Sequence, residues 1–339
     1  MKQFFIISSN FYDVVAHKFT IGGIQTYIKD LYFAIIRHGH KAYLVQFGSV
    51  ESNKEIVVGG CQILLVRYVK GRIVSSNQRT FNLFYMRNNK PNSVFIIDTD
   101  QRDIKSNNSN VIQIQHGITF DIPGNMIPGF WGKNKILQRI NKQIRCWRNA
   151  ARLSHVRNTV CVDYNYYNWY RTQNTIPDDV TVKVIPNYAG TFVSHNQIEE
   201  KIRTLHSKIS IVFARRFVEY RGTRLMIKAT KKLLAKFENI EVTFAGSGPL
   251  QSEVEIAFTG DKRVFITHYE SIESVTFHYK FDIAVVPTIY SEGTSLSLCE
   301  AMAAGCIPIA SCVGGISNIL IDGYNGLVIQ PSEAELEDA

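Results

Sequence analysis

Two glutamates, Glu292 and Glu300, flank a short run of small and polar residues near the C-terminal end of this 339-residue chain. An apolar segment, Ile283 to Pro287, precedes the run and reads as a buried strand, and a helix that Gly305 ends is predicted to follow it. A turn of this kind directs backbone N–H groups and the positive end of a helix dipole towards a ligand, which suits a phosphate. We expect this phosphate site to be formed by Gly293, Thr294, Ser295 and Leu296.

The two carboxylates are predicted to act separately. Glu292 precedes the helix and Glu300 lies one to two turns inside it, so they do not form a close acid/base pair on one helix face. We therefore expect them to bind different parts of one extended ligand. An alternative is purely local, because Ser297 and Glu300 have the spacing of a capping box.

The elements that position these residues follow an alternating pattern in both halves of the chain. Short apolar strands alternate with helix-like stretches, which is typical of a parallel α/β sheet. A polar stretch after Pro186 and Asn187 separates the halves, so we place a domain junction near residue 190 and predict domains over 1–190 and 191–339. The predicted strands are Phe4 to Ser8, Ala42 to Phe47, Ser93 to Asp98, Val111 to Gln115, Ile209 to Ala214, Ile240 to Ala245, Val264 to Thr267, Ile283 to Pro287, Ile307 to Ser311 and Gly326 to Ile329.

The C-terminal half closely resembles family 4 of the retaining glycosyltransferases. The glutamate pair, Gly314 and Gly315, Asp322 and Gly323, and the segment Asn325 to Val328 carry this resemblance. It implies a GT-B fold, with two facing Rossmann-like α/β domains of parallel sheets and an interdomain cleft. It also implies transfer of a sugar from a nucleoside diphosphate sugar to a glycan or lipid-linked acceptor, with retention of configuration and with no cofactor or essential metal. Assembly of bacterial surface polysaccharide or lipopolysaccharide is the role that the resemblance suggests.

A second segment, Phe213 to Gly222, is similar to the family's G-R-x4-K-G motif. Arg216 stands at the arginine and Arg221 stands at the lysine, and the resemblance implies that both hold the donor diphosphate. Two guanidiniums suit this role because they form forked hydrogen bonds with phosphate oxygens. The chain departs from the motif at Arg215, which occupies the position of the glycine.

The resemblance extends to three further places. The pair Gly22 and Gly23 opens the first long helix, where the family lets the diphosphate approach the backbone, although such pairs also serve simply as turns. His116 follows a strand and resembles the histidine that faces the donor sugar; a structural histidine is the alternative. Glu300 is expected to bind the ribose and Glu292 to orient the donor sugar.

The turn Gly246 to Pro249 is not a dinucleotide fingerprint, because Gln251 stands where the third glycine is needed. This argues against a nicotinamide-dependent oxidoreductase. In the glycosyltransferase interpretation the turn borders the nucleotide base, together with His268, Tyr269 and Ser271.

Positive charge is concentrated in the first half of the chain. Residues 1–190 contain 24 Lys and Arg against 11 Asp and Glu, a net charge of +13, whereas residues 191–339 contain 14 against 18, a net charge of −4. The stretch Lys133 to Arg157 carries eight Lys and Arg and no acid, and its apolar residues recur at helical spacing. This basic amphipathic helix is suited to an anionic membrane surface or a lipid-phosphate acceptor, or it packs on the core with a solvated basic face. Its aromatic residues do not interleave with the basic ones, which argues against nucleic-acid binding.

Cysteine usage favours the cytoplasm, with peripheral attachment to the inner face of the membrane as an option. The six cysteines show no CxxC spacing, and the first residues form too short an apolar run for a signal peptide. Because the chain stops at Ala339, a catalytically impaired relative that binds nucleotide sugar or acts as a partner subunit is the alternative function.

Overall fold

The computed structural model describes residues 1–20, 22–48, 50–98, 103–118, 121, 134–203, 208–270 and 273–339, without the side chains of residues 152 and 154. The chain divides into two compact units. The N-terminal unit comprises Met1–His116, Gln143–Val162 and Tyr167–Ile185, and the C-terminal unit comprises Gly117–Lys142, Asp163–Tyr166 and Pro186–Ala339. The domain bounds of 1–190 and 191–339 stay a prediction.

Strands and helices alternate along most of the chain. The strands are β1 Gln3–Ile7, β2 Tyr12–Asp13, β3 Lys18–Phe19, β4 Lys41–Phe47, β5 Lys54–Val58, β6 Cys61–Val66, β7 Ser93–Asp98, β8 Val111–Gln115, β9 Asn158–Cys161, β10 Thr181–Val184, β11 Ile209–Ala214, β12 Ile240–Ala245, β13 Val264–Thr267, β14 Ile283–Val286, β15 Ile307–Ser311 and β16 Leu327–Ile329. The helices are α1 Gly23–Arg37, α2 Ser76–Asn88, α3 Lys135–Arg152, α4 Tyr164–Gln173, α5 His195–Arg203, α6 Thr223–Lys236, α7 Gln251–Ala257, α8 Ser274–His278, α9 Leu296–Ala303 and α10 Glu333–Asp338.

The N-terminal unit is built on an eight-stranded sheet with the order β10-β9-β8-β7-β1-β4-β6-β5. All neighbours are parallel except β5, which pairs antiparallel with β6 at the edge. Strand order reverses between β1 and β7, so the chain leaves a crevice beyond the carboxyl ends of these two strands. The core packs on both faces of the sheet, and α1 buries Ile28, Tyr32 and Ile35.

The C-terminal unit is built on a six-stranded parallel sheet with the order β13-β12-β11-β14-β15-β16. Its central strands are nearly continuous apolar runs, as expected for strands covered on both faces. The order reverses between β11 and β14, which makes the carboxyl ends of these strands the topological switch point of this sheet. The two segments predicted to carry chemistry follow these two strands.

Runs of apolar residues in the sequence predicted the positions of most strands. The predicted bounds match for β7, β8, β11, β12, β13 and β15; they differ by one residue at one end of β4, β14 and β16 and at both ends of β1. Strands β2, β3, β5, β6, β9 and β10 were missed; in β5 and β10 every residue is exposed or only partly buried, so the apolar signal is weak. Gly39 closes α1 as expected, with φ of 75°.

Among the described residues, no helix combines the length and the apolar character needed to cross a membrane. All six cysteines lie in the described part of the chain and are free thiols.

Candidate functional site

The best-defined cluster of polar groups lies at the switch point of the C-terminal sheet. Arg215 directly follows β11, and the short 3-10 helix Glu219–Arg221 lies just beyond it. Glu292 lies in the turn between β14 and α9. Because β11 and β14 are neighbouring parallel strands, their carboxyl ends bring these segments together.

The carboxylate of Glu292 is held on all sides by protein donors. Arg215 Nη2 lies 2.8 Å from Oε1 and 2.9 Å from Oε2, and Arg221 Nη1 lies 2.6 Å from Oε1. The Thr288 hydroxyl donates to Oε2 at 2.7 Å. A carboxylate has about four lone-pair positions, so these four contacts occupy its acceptor capacity.

Electrostatics keep Glu292 ionised. Burial by itself raises the pKa of this carboxyl, but the charges of Arg215 and Arg221 and the hydrogen bond from Thr288 outweigh it and lower the pKa to about 2. Burial lowers the pKa of the Arg215 guanidinium, and Glu292 opposes this. Since arginine titrates far above neutral pH, both partners are charged. Glu292 is therefore an anion near pH 7, unable to serve there as a proton donor.

The three arginines of this cluster occupy different environments. The Arg215 side chain is only 4% exposed and Arg221 is 28% exposed, whereas Arg216 is an exposed residue. Within the described residues, the Arg216 guanidinium has no ion pair or hydrogen bond. The structure thus brings Arg221 and Glu292 together as predicted residues, and it leaves Arg216 available to a ligand. The predicted roles of these residues stay predictions.

Helix α9 begins where the sequence predicts a phosphate site. Ser295 is its N-cap residue, yet within the described part of the chain no side chain caps this end. The N–H groups of its first turn therefore lack an intrahelical acceptor. The capping-box alternative is wrong, because Ser297 lies inside the helix rather than at its N-cap.

The backbone of this turn is fixed by close packing. Gly315 N donates to the carbonyl of Glu292 at 2.7 Å, and Asn187 Nδ2 donates to the carbonyl of Thr294 at 2.7 Å. A Cβ on Gly315 would lie 2.8 Å from both the carbonyl carbon of Gly293 and the nitrogen of Thr294. These contacts hold the Gly293–Thr294 turn in one conformation.

Glu300 lies on α9 and is partly buried, separate from the Glu292 cluster as expected. Burial raises the pKa of the nearby Tyr269 hydroxyl, and the charge of Glu300 raises it further. Tyr269 stacks on Phe277 with ring centroids 4.3 Å apart, and His268 is exposed. Ser271, predicted beside the nucleotide base, lies outside the described residues.

A second cluster lies at the switch point of the N-terminal sheet. Asp98, at the end of β7, is buried; it accepts a hydrogen bond from the Ser8 hydroxyl at 2.9 Å, and its Oδ1 lies 2.9 Å from Nε2 of His116. Tyr27 packs edge-on against the His116 ring at 4.9 Å. Asp98 and Tyr27 are therefore close neighbours of the imidazole ring, although the Nε2–Oδ1 contact lacks the geometry of a hydrogen bond.

The glycine pair lies at the start of α1, in the same unit. Gly22 is the N-cap residue and Gly23 is the first helical residue, and no side chain among the described residues caps this end. The N-cap residue of α1 therefore has no side chain at the place where the sequence predicts that a diphosphate approaches the backbone.

Most of the basic stretch forms α3, which ends at Arg152; the predicted Arg157 lies beyond it and pairs with Asp179, and Lys133 lies outside the described residues. Ile136, Ile140 and Trp147 are exposed by 66%, 47% and 65%. Their spacing of four and seven residues places them on one face. The exposed basic residues beside this apolar face are Lys135, Arg139, Lys142 and Arg148.

Several residues of these clusters were missed as site residues by sequence reasoning. In the sequence, Arg215 was noted only because it departs from the family motif. Its position directly after a buried strand could have identified it as a site residue. Asp98 also ends a correctly predicted strand. Thr288 and Asn187 carry no comparable signal: Thr288 donates to Glu292 within the same turn, and the role of Asn187 depends on its contact with Thr294 in a distant segment.

Comparisons with known proteins bear on the family and the fold. The profile of the family described as "Glycosyl transferases group 1" matches residues 194–338. A D-inositol 3-phosphate glycosyltransferase from Arthrobacter sp. (strain FB24) is 30% identical over 138 residues, which cover 38% of this chain and 32% of that protein. The sequence comparisons support a glycosyltransferase family. The chain spans about a quarter to a third of the length of the curated relatives it matches.

Solved structures are similar over the whole chain. Sucrose-phosphate synthase from Thermosynechococcus elongatus has a TM-score of 0.70 at 15% identity, covering 100% of this chain and 88% of that one. HepE from Anabaena, solved in complex with UDP, has a TM-score of 0.64 at 13% identity, with coverage of 100% and 88%. The fold is GT-B. Its two Rossmann-like units, each on a mostly parallel sheet, match the predicted fold class.

Proposed function

We propose that this protein is a glycosyltransferase that moves a sugar from a nucleoside diphosphate sugar to a glycan or lipid-linked acceptor, with retention at the anomeric carbon. The observation that carries the proposal is the cluster at the C-terminal switch point. There, Arg221 contacts Glu292, three residues before the N-cap Ser295 of α9, and the exposed Arg216 directly follows Arg215, which reaches the Ser295 hydroxyl. Guanidiniums and helix-end N–H groups together are suited to a departing diphosphate, whose charge increases as the sugar bond breaks.

The remaining roles rest on the family resemblance. We propose that Glu300 binds the ribose, that Glu292 orients the donor sugar, and that His116 with Gly22 and Gly23 contacts the donor. We assign the role of covalent nucleophile to no side chain of the cluster. No metal or cofactor forms part of the proposal, nor do nucleic acids. Surface-polysaccharide or lipopolysaccharide assembly is proposed on the same resemblance.

A thermal-shift screen of UDP, ADP and GDP, followed by hydrolysis of the matching sugar donor, tests this function. We expect one diphosphate to stabilise the protein, and we expect Arg216→Ala and Glu300→Ala each to weaken binding or turnover by about tenfold or more. Lys262→Ala, which replaces an exposed cation of the same unit, is the matched control. Wild-type behaviour of both site variants would overturn the site assignment.

A catalytically impaired relative is the second candidate, and one observation favours it. Every acceptor position of Glu292 is taken by a protein donor, and one of those donors, Arg215, replaces the glycine of the family motif. Binding of a nucleoside diphosphate without donor hydrolysis or transfer would support this candidate over the enzyme.

We further propose that α3 lies on an anionic membrane surface. Its exposed Ile136, Ile140 and Trp147 form an apolar strip beside basic side chains, the arrangement of an interfacial helix. Such a helix enters the headgroup region while Lys and Arg attract anionic lipids.

Sedimentation with phosphatidylglycerol-containing vesicles at low salt tests the membrane proposal. We expect the wild type to sediment, and Ile140→Ser with Trp147→Ser to remain in solution. Ile256→Ser replaces another exposed isoleucine, on α7, and is the control. A wild type that stays in the supernatant would refute the proposal.

A further inference from the structure

The Glu292 carboxylate carries one negative charge but contacts two positively charged guanidiniums, those of Arg215 and Arg221. Arg215 and Arg221 both contact Oε1, so one oxygen is shared by two guanidiniums. Arg215 also contacts Oε2, and its Nη1 lies 3.4 Å from the Ser295 hydroxyl. Arg215 is thus held at several points, whereas Arg221 contacts the carboxylate through one nitrogen.

The two arginines also differ in their freedom to move. The Arg215 side chain is buried, and its backbone is held close to Gly246, whose added Cβ would lie 2.1 Å from the Arg215 carbonyl oxygen. Arg221 is more exposed, with its guanidinium 5.2 Å from the Tyr220 ring. A ligand anion can therefore reach Arg221 but not Arg215.

We infer that Arg221 exchanges between two anions, leaving Glu292 for the donor diphosphate, and that Arg215 is a positioning residue that makes the exchange possible by remaining on Glu292. This inference rests on the proposed function. When Arg221 leaves, it frees one acceptor position on Oε1, which then accepts a hydrogen bond from a donor-sugar hydroxyl. Recognition of the diphosphate and of the sugar is thereby coupled.

The role of Arg215 follows from the state in which its removal would leave the Glu292 carboxylate. Without it, departure of Arg221 would strand a buried carboxylate with only Thr288 as a partner, which is a costly arrangement unless the carboxyl takes up a proton. Diphosphate binding would then become coupled to protonation of Glu292. With Arg215 in place, Glu292 stays ionised in both states.

Other titratable groups also face the cluster, among them Asp121, whose carboxylate accepts a hydrogen bond from Ser291 N at 2.6 Å. Burial raises the pKa of Tyr269, and burial with the charge of Glu300 raises the pKa of the Cys299 thiol to about 12. Glu300, on α9, is the remaining carboxylate near these two groups. These groups are the same in Arg215→Met and in a double variant that also carries Glu292→Gln, so a pH dependence that Glu292→Gln removes reports on Glu292.

The test measures UDP affinity from about pH 7 to about pH 9 by calorimetry for three proteins. For Arg215→Met we expect affinity about tenfold or more below wild type at the upper pH, and a steeper gain than wild type as pH falls. Titration of UDP itself is common to all proteins and cancels. The double variant Arg215→Met with Glu292→Gln has no carboxylate that could be left buried without a partner. We therefore expect its UDP affinity to lie within about threefold of wild type.

The outcomes separate the inference from the proposed function. If wild type binds none of UDP, ADP and GDP, the proposed function fails; if another diphosphate binds, it replaces UDP as the probe. If Arg215→Met binds with wild-type affinity and pH slope, the exchange is wrong. If the double variant is as weak as the single one, Arg215 contributes in another way and the inference is also wrong.

Two further variants guard against a folding defect. Arg215→Lys keeps the positive charge, so we expect UDP affinity to depend on pH as in wild type. We expect the affinity itself to be reduced, because lysine lacks the planar guanidinium that bonds both carboxylate oxygens. Arg263→Met breaks another arginine pair of the same unit, with Asp261, and is expected to leave the pH slope unchanged. A steeper slope in Arg263→Met would overturn the inference.

Discussion

At the scale of single residues, Glu292 combines burial, charge and full hydrogen bonding. Its side chain is 10% exposed and its carboxylate accepts from two arginines and a threonine. Breaking a buried, hydrogen-bonded ion pair by removing one partner typically costs about 3 to 5 kcal/mol, since the other charge stays buried. This residue should therefore leave a signature in the stability of the whole protein.

We predict that Glu292 makes stability depend on acid pH. The folded pKa of about 2 lies below the ordinary value of 4.5, so the contribution is present above about pH 5 and is lost as pH falls towards 2. Urea unfolding of wild type and Glu292→Gln across this range measures it. Wild type should lose stability more steeply, by about 3 kcal/mol in total, and parallel curves would contradict the prediction.

At the scale of elements, the turn before α9 is shaped by neighbouring backbone rather than by its own sequence. Gly314 has φ of 54°, and a Cβ there would lie 2.0 Å from the Glu292 carbonyl oxygen. A Cβ on Gly315 would lie 2.8 Å from the Gly293–Thr294 peptide. Only glycine allows the loop after β15 to approach this turn so closely.

We predict that Gly315→Ala displaces this turn. Its new methyl group would meet backbone atoms that cannot rotate away, so we expect a loss of about 1 to 3 kcal/mol in unfolding free energy and weaker diphosphate binding. Gly190→Ala is the matched control, because nothing lies within 4 Å of its added Cβ. Denaturant unfolding and a diphosphate thermal shift measure both effects, and equal results for the two variants would refute the prediction.

At the scale of the whole molecule, the proposed chemistry relies on arginines and helix N–H groups to balance the diphosphate. Among the described residues, no group of three or more His, Cys, Asp or Glu is placed to hold a metal ion. Because the proposal assigns the charge balance to Arg216, Arg221 and the N–H groups of α9, we predict that EDTA changes neither the thermal shift given by the bound diphosphate nor donor turnover. A loss that added Mg²⁺ or Mn²⁺ restores would show a metal requirement and contradict the proposal.

The sequence by itself predicted the α/β class, the position of most central strands, and the turn between Glu292 and Glu300. These features are encoded locally: a buried strand is a run of apolar residues, and a strand, a turn and a helix follow one another in order. The motif-based resemblance placed Arg216 and Arg221 at the same site for a similar reason, since the spacing within one segment fixes them.

The tertiary structure alone decided which charges pair. Arg215 and Glu292 are 77 residues apart, and only the adjacency of β11 and β14 brings the two together. Asn187 and Gly315 likewise support the turn from distant segments. Pairing across a sheet depends on strand order, which local periodicity does not specify, and this is why a residue read as a departure from a motif became the main partner of Glu292.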